Sequence, residues 1–167
     1  MVRNLSAVLL IFLVACSGSA SDEAHEATKF ELTEGQDAIL VPYFEMVKAL
    51  QQDDFNKARD LGKILSTAEQ DTGVKLALTR MGTLMNQSAS TFDQRTILEQ
   101  MGMVITLYIE QEIINNYPIY KFTCKNEFDG KEVVWFDLSE DSKNPFIGEN
   151  SSECVDLVET IEPVLNK

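Results

Sequence analysis

LEQMGMVITLYIEQEIINNYPIYKFTC, residues 98–124, carries the change of period on which the fold turns. In its first part Leu98, Met101, Ile105, Tyr108, Ile109 and Ile113 recur at helical spacing, the apolar stripe of an amphipathic helix. Tyr117-Pro118 stops that helix, because proline has no backbone N–H and disfavours the helical region in the residue before it. Beyond the stop, Tyr120, Phe122 and Cys124 alternate with Ile119, Lys121 and Thr123, the two-residue period of a strand.

Upstream, three further helices are expected. The long helix starts near Ser90, and before it Gly73 to Gln87 places Val74, Ala77, Met81, Leu84 and Met85 on an inner side that Gly82 weakens. The Asp53-Asp54 pair offers an N-cap and favourable charge to a helix carrying Phe55, Ala58, Leu61, Leu65 and Ala68. Ile39, Tyr43, Met46, Val47 and Leu50 form the first stripe, with Pro42 in its tolerant first turn. Met81, Met85, Met101 and Met103 could suggest a copper box, but at helical spacing among Leu and Ile they read as core gap-fillers. Downstream, Asp129-Gly130 is a turn leading to a second strand at Val133-Val134-Trp135-Phe136. Asn144-Pro145 and Gly148 break the chain again, and residues 155–164 fit either helix or strand. The expected fold is mainly α: a four-helix up-down bundle followed by a small C-terminal β-hairpin and tail.

The N-terminus points to a membrane anchor. Arg3 and the short apolar run from Ala7 to Val14 precede Leu13-Val14-Ala15-Cys16, which reads as a lipobox. Residues 1–15 are then a lipoprotein signal peptide, with Cys16 the lipidated residue and the bond to the membrane. Residues 16–35 are small, polar and acidic, a tether, and residues 36–167 form a single domain. Ser17 stands where an inner-membrane retention signal commonly has Asp, so the expected location is the outer membrane facing the periplasm. The Ser21-Asp22-Glu23 stretch leaves surface exposure open.

Acidic residues number 27 against 14 basic ones, a net charge of -13, which makes nucleic acid and anionic lipid surfaces poor partners and favours solubility. No catalytic residue is assigned and the protein is expected not to be an enzyme. The one histidine, His25, lies in the tether, and Gly130 and Gly148 lack the glycine-rich context of a nucleotide site. Asp137, Glu140 and Asp141, and Glu110 with Glu112, form acidic clusters that fit neither a calcium loop nor a carboxylate pair better than a solvated surface. Once Cys16 is lipidated, Cys124 and Cys154 remain, either bonded to each other or sharing a ligand.

The set Cys124-Lys125-Asn126, Trp135, Asn144-Pro145-Phe146-Ile147-Gly148 and Cys154 resembles a bacterial domain family of uncharacterised function. That family occurs in secreted proteins and lipoproteins and on periplasmic adaptor subunits of heavy-metal (copper and silver) efflux pumps. Its pattern runs His-Cys-Pro-Met, a Trp about eleven residues later, Asn-Pro-Tyr-x-Gly and Met-x-x-Cys-Gly. The spacings agree, with eleven residues from Cys124 to Trp135, nine to Asn144, and six from Gly148 to Cys154. In the helices Asp53-Asp54 and Arg95, Leu98, Met101 match more loosely, and the resemblance spans residues 37–162. It implies soft-metal binding and an efflux or metal-stress accessory role. Here, however, the His position is Thr123, Pro and Met have become Lys125 and Asn126, and the second Met is Ser151. Of the soft ligands only Cys124 and Cys154 are kept, so a structural disulfide without any cofactor is the expected state. The alternatives are a two-thiolate site for Cu(I) or Ag(I), and a redox role. The chain is expected to act by binding, either as that accessory or as an interaction module for an envelope protein partner.

Overall fold

The computed structural model describes residues 37–112 and 117–163. The signal peptide, Cys16, the tether and Ile113 lie outside the described residues. Four helices come first, α1 Leu40–Gln51, α2 Phe55–Leu65, α3 Gly73–Gln87 and α4 Thr91–Glu112. Three strands follow, β1 Ile119–Phe128, β2 Lys131–Asp137 and β3 Asp156–Ile161.

At or just before the start of each helix a polar side chain accepts from one or two of its free N–H groups. The Asp37 carboxylate accepts from Ile39 and Leu40, both at 2.8 Å, Asp54 accepts from Lys57 and Thr72 from Lys75. Ser90 accepts from Asp93, whose carboxylate accepts in turn from Ala89. Every residue of the α1 stripe is buried, because α1 is flanked by α2, α4 and β2. The α4 stripe Leu98, Met101, Ile105, Tyr108 and Ile109 is buried as well.

Helix α3 is rotated from its expected register. Its buried residues are Leu78, Thr79, Gly82 and Met85, while Leu84 is 51% exposed. Gly82 and Gly62 of α2 cause this: a Cβ on either would meet the other's carbonyl oxygen at 2.8 Å, so the two backbones touch where no side chain fits. A residue read as a helix weakener is the contact point itself. Met103 also departs from the core reading, at 64% exposure, whereas Met85 and Met101 are fully buried.

The four-helix bundle with a hairpin and tail is corrected to four helices and a three-stranded antiparallel sheet of order β2-β1-β3. Residues 156–161, left open between helix and strand, pair with the second edge of β1, from Ile119↔Ile161 to Thr123↔Asp156. Their polar-apolar alternation is obscured because the register shifts at Val158 and because Asp156 to Thr160 are all exposed. Nor do the helices close on one another alone, since α1 and α4 both pack on β2. The Tyr43 hydroxyl of α1 accepts from the Phe136 N–H, and Gly102 of α4 lies against the Val134 carbonyl. These contacts cover the outer edge of β2, which would otherwise offer unpaired backbone groups. Asp129 and Gly130 both have positive φ, 52° and 70°, as a two-residue hairpin turn between β1 and β2 requires.

Trp135 and Phe122 stack across the hairpin at 5.5 Å between ring centres, and Phe146 meets the Trp135 ring edge-on at 6.1 Å. This aromatic cluster is continuous with the helical core.

Candidate functional site

The loop from Leu138 to Val155 connects β2 to β3 and is fastened at three places, the first two to the helices and the third to β1. At the first, β2 ends in Asp137, whose carboxylate accepts four hydrogen bonds. One oxygen takes the N–H groups of Leu138 and Ser139, and the other takes the Ser142 hydroxyl at 2.6 Å and the Gln51 amide at 3.1 Å. Ser142 also accepts from the Trp135 indole at 3.0 Å and from Gln51 at 3.1 Å, and Gln51 donates to the Lys143 carbonyl. Gln51 and Ser142 are buried, so this network is protected from water and ties the end of α1 to the loop.

At the second, Arg95 of α4 reaches across. Its Nε donates to the Pro145 carbonyl at 2.9 Å, and its Nη2 faces the Leu50 carbonyl at the end of α1 and pairs with the Asp53 carboxylate. The other Asp53 oxygen accepts from Glu149 N–H at 2.8 Å, and Asn150 donates to the Gln51 carbonyl at 2.7 Å. Asp54 therefore caps α2, while Asp53, with φ of 56°, links α1, α4 and the loop. Gly148, with φ of 81°, leaves the space this cluster needs: a Cβ there would overlap the Arg95 guanidinium and the Asp53 carboxylate.

At the third, Asn144 shapes the return to β1. Fully buried, it accepts from Phe146 N–H at 2.9 Å and donates to the carbonyls of Glu153 and Cys154, both at 3.1 Å. Cys154, with φ of 51°, is disulfide-bonded to the buried Cys124 of β1, with their Cα atoms 5.1 Å apart.

The residues that carry the resemblance thus meet in one clasp: Asp53, Arg95, Cys124, Trp135, Asn144, Gly148 and Cys154. Thr123 does not join them, because β1 turns it to the sheet face opposite Cys124, where it pairs with Val134. Lys125 is exposed and Ser151 holds the loop through its backbone. Glu140 and Asp141 stay at the surface, as does Glu110. Gln51 and Ser142 escape the sequence reading, since a lone Gln at a helix end and a Ser in a polar loop carry no pattern of their own.

A cleft of about 350 Å³ opens beside the first fastening, lined by Phe44, Glu45, Lys48, Asp137, Leu138 and Asp141. Asp137 has its oxygens engaged, and Glu45 is paired with Lys57 at 2.9 Å. Burial raises the Tyr43 hydroxyl far above its ordinary pKa, keeping it a neutral partner of β2. Among the described residues no group of three or more His, Cys, Asp or Glu is placed to hold a metal ion, and no helix is long and apolar enough to cross a membrane. Comparison of the chain with family models, with curated proteins and with solved structures finds no match in any of the three.

Proposed function

We propose that the chain is a non-enzymatic lipoprotein of the cell envelope that acts by binding, as an accessory of heavy-metal efflux or metal stress. The lipobox ending at Cys16 supports the anchor and, with Ser17 after it, the outer-membrane location. The observation that carries the binding role is the clasp. Its charged and polar groups, Asp53, Arg95, Gln51, Asp137 and Asn144, are spent on holding the loop to the helices rather than directed at a substrate. The resemblance to the efflux-associated family supplies the accessory role.

A second reading, an interaction module with no metal that docks an envelope protein, is favoured by the disulfide. Two bonded sulfurs offer no thiolate to a soft cation.

Cell fractionation of the Cys16→Ala variant tests the anchor. The variant should leave the membrane pellet for the soluble fraction, and unchanged pelleting would remove the lipoprotein assignment. Loss of the gene should raise sensitivity to silver and copper salts under the first reading. Unaltered sensitivity would leave only the second.

A further inference from the structure

Strand β3 is attached to the molecule differently from every other element. Among the described residues its sole neighbouring element is β1, and only its last residue, Ile161, packs against the core. Asp156 to Thr160 are exposed on both sides of the strand, and the ladder to β1 is interrupted at Val158. Burial, which holds the helices and the hairpin together, therefore contributes little along the strand, and Val155 and Ile161 at its ends are only partly buried.

What precedes β3 is firmly held. Residues 142–150 are tied to α1 and α4 through Gln51, Asp53 and Arg95. Asn144 pins the chain as far as the Cys154 carbonyl. The disulfide is then the last strong link before β3, joining Cys154 to the central strand that β3 pairs with. Cys154 has a left-handed backbone conformation, with φ of 51°, uncommon for a residue with a side chain. The two cysteines also differ in exposure, Cys124 being fully buried and Cys154 partly exposed.

We propose that the Cys124–Cys154 disulfide is a redox latch on β3, opened by a dithiol reductant. A donor thiolate attacks the Cys154 sulfur, the sulfur–sulfur bond breaks, and Cys124 departs as a thiolate that takes up a proton. The donor's second thiol then displaces Cys154 from the mixed disulfide. Two electrons and two protons have passed from the donor dithiol, which ends as a disulfide, to the cysteine pair. Without the link, residues 155–161 separate from β1 about a hinge just beyond Cys154, whose carbonyl Asn144 still holds. The outer backbone edge of β1 from Ile119 to Thr123 becomes unpaired, while the helices, β2 and the clasp at Arg95 remain folded. This latch does not depend on the lipid anchor or on a metal.

Hydrogen exchange of the full chain, oxidised and then reduced with excess dithiothreitol under native conditions, tests it. On reduction the exchange of residues 156–161 should gain at least about tenfold more than that of α1, α4 and β2, which gain only what the lowered global stability gives them. The double variant Cys124→Ala with Cys154→Ser should reproduce the reduced pattern without reductant. An equal gain throughout the chain would make the bond a staple of the whole fold and overturn the latch. Unchanged exchange in β3, or a disulfide that stays closed in dithiothreitol, would overturn it too.

Discussion

Gly148 shows how one residue can be fixed by its neighbours rather than by its own element. The loop turns there with φ of 81°, and the space beside its Cα is filled by the Arg95 guanidinium and the Asp53 carboxylate. An added methyl group meets both penalties, the strained backbone and the displaced ion pair. Gly148→Ala should cost roughly 2–4 kcal/mol in chemical denaturation, more than the usual cost of a left-handed alanine. A loss below about 0.5 kcal/mol would mean that the Arg95 cluster does not constrain the loop. From sequence, Gly148 was legible as a break in the chain and as the end of the Asn144–Gly148 motif, but not as the space an ion pair needs. The group it accommodates is drawn from α4 and the end of α1, and the Asp53 carboxylate pairs with an arginine 42 residues away. Buried Asn144 was likewise legible as a turn, since Asn-Pro signals one, but not as the side chain that holds Glu153 and Cys154.

At the scale of elements, the helices were legible where residues at helical spacing are the ones that enter the core. The stripes of α1, α2 and α4 agree with the observed cores because apolar periodicity reports burial directly. Helix α3 was misread by a rotation, since its tightest contact is made by Gly82, which leaves no apolar mark in a periodicity count. Gly82→Ala should destabilise by roughly 1–3 kcal/mol by forcing α2 and α3 apart, whereas Leu84→Ser should change stability by less than about 0.5 kcal/mol. Thermal unfolding of the two variants separates these cases, and the reverse order would return Leu84 to the interior. Strand β3 was illegible for the opposite reason. A strand exposed on both sides has no buried set to impose alternation, and the shift at Val158 disturbs what remains.

Across the whole molecule, Cys124 and Cys154 were legible as a pair, because with Cys16 read as a lipidation site an even count remains, which points to bonding. The disulfide closes a separation of 30 residues, for which loop entropy contributes roughly 3.5–4 kcal/mol. Cys154→Ser should accordingly lower stability by roughly 2–4 kcal/mol, as loss of a native disulfide typically does. The central claim is that these sulfurs are bonded to each other and not offered to a soft metal. The most direct test is a thiol count with Cu(I) titration on protein isolated without reductant. The account predicts no reactive thiol at Cys124 or Cys154 and no Cu(I) binding. Free thiols at both positions together with tight Cu(I) binding would contradict it.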